Sequence, residues 1–281
     1  MLLTLLGCGT ENLAQAWQID RLRILGVAAE PAEPRPGDFV TFSALTVSPK
    51  VPIAATVWTI CADATSDQFG CGGGADSLDL GSDPENFDFE AFAAAGGIGI
   101  EPFLPPTWTV PGTLLDALNE QEKLEGTTAL VNLVSVPDQK EVDEDDVEIA
   151  FKRVPVSLAV TPNHNPTLTG WRVDGNEVAA SAVVSLKRGQ TYDIEPILAA
   201  DAVEDYVYRT KAGTDEDRTE EPYFSWYLEE GMFDQANSLY PEVAVEYTVP
   251  TKPEADTGTV WTVMRDRRGG MAWLTLTLRY E

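Results

Sequence analysis

The chain has 281 residues, enough for two domains of ordinary size, and its 43% apolar and 23% charged residues are typical of folded globular proteins. Acidic residues number 46 against 19 lysines and arginines, so the formal net charge is −27. This balance argues against nucleic-acid binding, which needs clustered basic residues, and favours cations and basic partners.

The N-terminus begins with a short run of leucines that ends in Leu5, Leu6, Gly7 and Cys8. No segment of the sequence reaches the roughly 20 apolar residues of a membrane span. The four-residue order resembles the end of a bacterial lipoprotein signal, and that resemblance implies a lipid on Cys8. The leucine run is shorter than a complete signal and no basic residue precedes it, so we expect a truncated signal. Because Gly9 follows the cysteine where some lipoproteins carry an inner-membrane retention Asp, we expect an outer-membrane protein that faces the periplasm or the exterior.

Alternating apolar and polar residues then predict the first strands. They are Arg21–Pro31, Phe39–Val47 and Ala54–Cys61, and a proline-rich turn separates the first two. The third strand carries Trp58.

Cys61 and Cys71 lie ten positions apart across a polar loop. With Cys8 lipidated, they are the two cysteines of the chain that remain, which is an even number. An even number of cysteines suits an oxidising compartment, so we predict a disulfide between Cys61 and Cys71. Free thiols are one alternative. Zinc is another, but two cysteines and the distant His164 do not supply its usual four ligands.

A segment rich in Gly, Asp and Ser, 62–99, predicts a long excursion, with a small helix around 84–94. The stretch 111–124 predicts the main helix, with Thr113 as its N-cap and an apolar stripe. The stripe consists of Leu114, Leu115 and Leu118.

Two strand patterns follow, 127–136 and 147–160, joined by an acidic connection, 137–146. Prolines then flank Asn163, His164 and Asn165, which predicts a linker over 159–166. We therefore expect a first domain over 17–158, after a tether over 9–16, and a second domain over 167–281.

The second half repeats this style, with short alternating strands and a strand that carries Trp226. The last stretch predicts two long strands around Gly269 and Gly270, because paired glycines permit the positive φ of a tight reversal. Four of its side chains are predicted to face the core of their own domain: Trp261, Val263, Leu274 and Leu276.

Short strands with Pro, Gly and Asp turns, together with few helices, predict a mainly β chain of two antiparallel immunoglobulin-like β-sandwich domains in tandem. The first would carry a long loop insertion and one short helix. In such sandwiches a Trp on the third strand fills the core, which is the role we expect for Trp58 and Trp226. The final stretch resembles the last two strands of bacterial immunoglobulin-like and PKD-type domains, at Gly258, Trp261, Val263, Asp266, Gly269 or Gly270, Leu274, Leu276 and Leu278.

Enzyme motifs are absent from the sequence. His164 is its one histidine and no nucleophile-elbow pattern accompanies it, so we expect no catalytic site. We expect no cofactor, although calcium prefers clustered carboxylates in loops. The candidates for calcium are Asp143, Asp145, Asp215 and Asp217.

Three arginines, Arg265, Arg267 and Arg268, are gathered beside Gly269 in an otherwise acidic chain. We weigh two interpretations of this cluster. One is a hairpin turn with solvated charges, and the other is an electrostatic clamp on an acidic neighbour, in this chain or in a partner.

The resemblance implies an uncharacterised type of bacterial surface lipoprotein, with a structural or protein-interaction role rather than catalysis. We expect its partner to be another envelope protein or a surface polymer, and we expect contact with the membrane only through the lipid anchor. Two alternatives stay open. One is an extracytoplasmic binding protein for a small ligand, glycan or calcium near Pro155–Pro166, and the other is an accessory module of a secreted hydrolase.

Overall fold

The structure is a computed structural model that describes residues 15, 17–62, 88–210 and 213–281. The first sandwich packs a three-stranded sheet, β1-β2-β5, on a four-stranded sheet, β4-β3-β6-β7. Its strands are β1 Arg23–Glu30, β2 Phe39–Val47, β3 Ile53–Cys61, β4 Gly97–Glu101, β5 Thr107–Thr109, β6 Thr127–Pro137 and β7 Glu148–Val156.

Side chains from both sheets form the first core, with Trp58 of the third strand fully buried among them. This burial confirms the predicted core role of Trp58. The indole N–H of Trp58 donates a 2.9 Å hydrogen bond to Glu101, so the buried ring is also satisfied as a donor.

The second sandwich packs two five-stranded sheets, β15-β17-β11-β8-β9 and β10-β19-β18-β14-β16. A separate two-stranded sheet, β12-β13, projects from it. The strands are β8 Leu168–Val173, β9 Asn176–Ala179, β10 Val183–Leu186, β11 Thr191–Leu198, β12 Asp205–Arg209, β13 Asp215–Thr219, β14 Tyr223–Leu228, β15 Met232–Phe233, β16 Asn237–Leu239, β17 Val245–Thr248, β18 Thr257–Arg265 and β19 Met271–Tyr280.

Trp226 on β14 lies at the centre of the second core, between Trp171 and Phe233. Its indole N–H donates to Ser238 at 2.9 Å. The predicted core role of Trp226 is therefore confirmed. Two facing sheets around a central Trp in each half confirm the predicted fold class, a mainly β tandem of immunoglobulin-like sandwiches.

The predicted helix over 111–124 is wrong in its start. Residues 114, 116 and 118 each bond to the carbonyl three positions earlier, which makes a series of turns. The helix α2, Glu120–Glu125, is preceded by its N-cap Asn119, which forms a complete capping box with Glu122. A second helix of the same length, α1 Phe89–Ala94, falls in the predicted range 84–94 and is capped by Asp88.

The N-terminal segment attaches to the second sandwich rather than the first, although we expected 17–158 to form the first domain. Gln18 bridges to Leu228, and the backbone of Ile19 donates to the Leu228 carbonyl at 2.8 Å. Trp17 packs on the second core. In sequence order, the residues that contact the second domain therefore precede the first strand of the first domain.

Candidate interaction site at the domain junction

The two sandwiches are joined by a small apolar core of their own. Ile19 and Leu25 pack there with Trp261 and Val263 of β18. We expected Trp261 and Val263 to face the core of their own domain, and this is wrong. The alternate residues of β18, Val260 and Met264, occupy that core, together with Leu274 and Leu276 of β19 as predicted.

Close approach of the two domains depends on Gly26 of β1. A Cβ atom at this position would lie 3.1 Å from Met271 Sδ and 3.3 Å from Trp273 and Val263. Strand β1 also has a register shift between Ile24 and Gly26 where it pairs with β2. The glycine therefore lets β1 lie directly on the outer face of β18 and β19.

The turn between β18 and β19 is organised by one carboxylate. Asp266 Oδ1 accepts hydrogen bonds from three backbone N–H groups, those of Arg268 at 2.7 Å and of Gly269 and Gly270 at 2.9 Å. Arg267 has a positive φ of 71° and Gly269 one of 126°. A Cβ on Gly270 would collide with Asp266 and lie 2.6 Å from the His164 carbonyl, so only glycine fits there.

This turn directs Arg268 into the junction, where its side chain is only 14% exposed. Its Nη1 donates to Glu204 and to Glu220, both at 3.1 Å. Its Nη2 donates to the carbonyl of Thr161 in the linker at 3.2 Å and lies 3.8 Å from Glu33 in the first domain. One guanidinium thus contacts both domains and the linker.

The linker is held by the buried Asn163 and the partly buried Asn165. Asn163 donates its side-chain amide to Asp266 at 2.8 Å and its backbone N–H to Glu33 at 2.7 Å. Asn165 donates to the Ala29 carbonyl at 2.7 Å and accepts from the Met271 N–H at 3.0 Å. The backbone of the linker is therefore tied to both sandwiches.

Two buried ionisable groups of the junction have shifted pKa values. Burial lowers the pKa of Lys152 from 10.5 to about 8, even though the Asp266 carboxylate opposes that shift. Lys152 donates to the Gly269 carbonyl, which links β7 of the first domain to the turn of the second. Burial likewise raises the pKa of Glu220, and the charge of Arg268 opposes this shift. Burial in the junction therefore disfavours the charged forms of both Lys152 and Glu220.

A projecting hairpin, β12-β13, borders the junction. The guanidinium of Arg268 stacks 4.1 Å over the ring of Tyr206, and that of Arg218 stacks 3.7 Å over Tyr208. At the far end of the hairpin, a Cβ on Gly213 would lie 3.4 Å from the side chain of Gln121 in α2. The tip of this second-domain hairpin thus lies beside helix α2 of the first domain.

Two open grooves flank this hairpin. The larger, about 660 Å³, lies between the hairpin and the β18–β19 turn, with Arg218, Arg267, Arg268, Glu220 and Glu221 in its wall. The smaller, about 420 Å³, has Thr161 of the linker on one side and Asp205, Val207 and Asp217 on the other. These two grooves form the candidate interaction site.

The three arginines predicted as a cluster have three different environments. Arg268 is the clamp on acidic neighbours within the chain. Arg265 donates to the Leu25 carbonyl of the first domain at 2.9 Å and to Ser225 at 3.1 Å. Arg267 is 49% exposed, donates to Glu221 at 3.5 Å and lies 5.8 Å from the centre of the Tyr223 ring. Arg265 and Arg268 therefore make the contacts within the chain that one interpretation predicted, while contact of the cluster with a separate partner stays a prediction. Arg267 is the member of the cluster that solvent reaches most.

The candidates for calcium are not gathered into a site. Asp215 pairs with Arg209 at 2.6 Å, and Asp217 lies opposite Val207 across the hairpin. Asp143 precedes a short helical turn in the acidic connection, Glu144–Asp146, and Asp145 lies within that turn. Across the ranges that the structure describes, no three His, Cys, Asp or Glu side chains are grouped so as to hold a metal ion.

Other predicted sites lie partly outside the described residues. Cys8 and Cys71 are in that part of the chain, while Cys61 ends β3, so the disulfide and the lipid anchor stay predictions. His164 is 67% exposed and contacts Glu204 at 2.8 Å. Among the described residues, no helix has the length and apolar character needed to cross a bilayer.

The acidic partners of Arg268 carry no recognisable signal in the sequence. Glu204 and Glu220 are 64 and 48 positions away, in segments that read as ordinary charged loops and strand ends. The apolar junction had a signal in β18, whose residues Val260 to Met264 are apolar on both faces apart from Thr262. A strand with two apolar faces is covered on both sides.

No protein-family model matches the sequence, and no curated protein matches it. Solved structures with similarity include the N-terminal Ig1-2 module of the Drosophila receptor protein tyrosine phosphatase DLAR, at 12% identity and a TM-score of 0.27, with 93% of this chain and 99% of that one covered. A chimeric titin Z1Z2 matches at 12% identity and 0.20, over 93% and 94%. Latent PorU from Porphyromonas gingivalis matches at 8% and 0.25, over 94% of this chain and 24% of that one. At these TM-scores the neighbours assign neither a family nor a function.

Proposed function

We propose that the protein is a non-enzymatic, lipid-anchored module of the bacterial cell envelope, with a structural or protein-interaction role. The observation that carries the proposal is the junction, in which Arg268 and a shared apolar core hold two sandwiches in one arrangement. A fixed two-domain body displays its loops in a constant geometry, which reduces the conformational entropy lost when a partner binds.

The anchor in this proposal is Cys8, on the sequence resemblance described above. Metabolic labelling with a palmitate analogue tests it. The wild-type chain, expressed in bacteria, should take up label and fractionate with the outer membrane, and a Cys8→Ser variant should do neither. Equal label in both chains would contradict the anchor and leave the interaction role untouched.

The interaction role is tested by site-specific photocrosslinking in the envelope. A photoreactive residue at Arg267 in the larger groove should give a discrete protein adduct. The same residue at Glu242, an exposed position of the second domain outside both grooves, should give none. If both positions crosslink equally, or if a glycan array binds the protein while neither position yields an adduct, a protein-interaction role at this site is contradicted.

The second candidate function is binding of a small ligand or glycan at the junction. Its support is the 660 Å³ groove, whose wall combines the Tyr206 ring with Arg218 and Glu221. Rings and paired polar groups are the elements from which such sites are built. A specific signal on a glycan array, abolished by Arg218→Ala, would favour this candidate over the first.

A further inference from the structure

The hairpin β12-β13 is a sheet with two open edges. It forms a two-stranded sheet of its own, and no backbone hydrogen bond links either strand to another element within the described residues. Isolated two-stranded hairpins are only marginally stable in water. This one is supported at its base by Arg268 on Tyr206 and lies next to Gln121 at its tip.

The register of the hairpin shows which backbone groups point outward. Glu220 N–H bonds to the Glu204 carbonyl at 3.0 Å, and Thr210 N–H bonds to the Thr214 carbonyl at 2.9 Å. In an antiparallel pair, hydrogen-bonded and non-hydrogen-bonded positions alternate. Val207 and Asp217 form the third pair from each of these two hydrogen-bonded pairs, and the alternation therefore makes them a non-hydrogen-bonded pair. The N–H and C=O groups of these residues therefore face away from the hairpin.

Strand β13 is the more open of the two edges. All five of its residues are exposed, whereas Tyr206 and Arg209 of β12 are partly buried. The outward-facing backbone positions of β13 are Asp215, Asp217 and Thr219. An exposed run of such groups can pair with an extended segment of another chain.

The chemistry of β13 selects the partner. Asp215 and Asp217 project their side chains to the same face, because they are two positions apart. Asp215 is paired with Arg209, but the Asp217 carboxylate accepts no hydrogen bond from the described residues and borders the 420 Å³ groove. Opposite charges directly across a strand pair are favourable. Charge complementarity thus calls for a strand with basic residues at alternate positions, in line with the net charge of −27.

We propose that the β13 edge binds an extended, basic segment of a partner protein by adding it to the hairpin as a third strand. This inference rests on the proposed interaction function and names the partner chemistry and the place of contact. Backbone bonds to Asp215, Asp217 and Thr219 give the pairing, and the carboxylate of Asp217 selects Lys or Arg, since that of Asp215 is already paired with Arg209.

A fluorescent peptide of alternating Lys and Val, six residues long, is the probe, and the full chain is the receptor. Fluorescence anisotropy should show binding at 50 mM salt that weakens as salt screens the charges. A peptide of alternating Glu and Val should not bind. Absence of binding of the Lys peptide at low salt would overturn the inference.

Two proline variants separate the edge from the hairpin as a whole. Asp217→Pro removes an outward N–H of β13 and should weaken binding about tenfold or more. Val207→Pro removes the outward N–H of the directly opposed residue on β12 and should change binding less than about twofold, since both prolines spare the hairpin's own bonds. Equal losses in both variants, or no loss in Asp217→Pro, would overturn the inference.

The backbone and charge contributions are separated by Asp217→Asn, which keeps the N–H and removes the charge. Asp217→Asn should weaken binding of the Lys peptide less than Asp217→Pro does, and the binding that remains should depend less on salt than that of the wild-type chain. An unchanged salt dependence would overturn the assignment of charge selection to this carboxylate. If the adduct at Arg267 in the envelope persists in Asp217→Pro while peptide binding fails, the interaction function stands and the β13 edge is not its site.

Discussion

Arg268 donates a 3.1 Å hydrogen bond to Glu220, and this pair is buried between a turn and a strand end of the second domain while the same guanidinium faces Glu33 of the first. Removal of one partner of a buried ion pair leaves an uncompensated charge. The junction is therefore sensitive to substitution at this pair.

We expect Arg268→Ala to lower the free energy of unfolding by about 3 kcal/mol, because Glu220 would keep its burial and lose its counter-charge. Arg267→Ala is the matched control, and it should change stability by less than about 0.5 kcal/mol because this neighbour is largely solvated. Urea denaturation followed by Trp fluorescence measures both. Equal effects of the two substitutions would contradict the different roles assigned to these arginines.

The glycine pair of the turn gives a second prediction. Gly270→Ala should destabilise the protein by about 1–3 kcal/mol, because its Cβ would collide with Asp266 and the His164 carbonyl. Gly112→Ala is the control, since a Cβ there meets nothing within 4 Å. It should be neutral or slightly stabilising. Thermal unfolding of the two variants is the measurement, and a Gly270→Ala protein as stable as wild type would rule out the tight contact between turn and linker.

The lowered pKa of Lys152 predicts a pH-dependent effect. Its folded pKa of about 8 lies below the ordinary value of 10.5, so between these values the unfolded chain holds a proton that the folded chain has lost. The contribution of Lys152 to stability therefore rises with pH across this window, by on the order of 3 kcal/mol.

It follows that Lys152→Met should stabilise the protein at pH 7, by about 1–3 kcal/mol after loss of the hydrogen bond to Gly269. The advantage should shrink as pH rises from 8 to 10.5. Denaturant titrations at several pH values test this against Lys140→Met, an exposed lysine that should show no such trend. An advantage that grows with pH would contradict the burial of a charged Lys152.

The predicted disulfide has a direct test. Peptide mapping without reductant should recover Cys61 joined to Cys71, and reduction should lower the free energy of unfolding by about 3 kcal/mol because the closed loop is short. Alkylation of both cysteines in the unreduced, denatured protein would show instead that they are thiols.

Local patterns were sufficient to predict the sandwiches, the two buried Trp residues of the central strands and the turn at Gly269 and Gly270. They were insufficient for the helix start, because Thr113 and Asn119 are both suitable N-cap residues, and in the structure it is Asn119 that forms the capping box with Glu122. They were also insufficient to assign Trp261 to a core, because β18 is apolar on both faces. Its sequence does not show which face packs in the second sandwich and which packs in the junction.

The candidate site was the least predictable part of the molecule. Arg268 was noticed because it is basic in an acidic chain, but its partners Glu204 and Thr161 reach it only through the tertiary fold. The register of β12 and β13 decides which backbone groups face outward from the hairpin, and this register cannot be derived from amino-acid composition. Charge alone indicated calcium at Asp215 and Asp217, whereas the structure places these residues on a strand edge.

We infer that the junction holds the two sandwiches in one arrangement. The most direct measurement is the distance distribution between spin labels at Lys50 and Lys252, exposed positions in the first and second domains, in a chain with Cys8→Ser. We expect one narrow distribution in this background and a broadened one after Arg268→Ala. A broad distribution before that substitution would show that the domains move freely about the linker and would rule out a fixed arrangement.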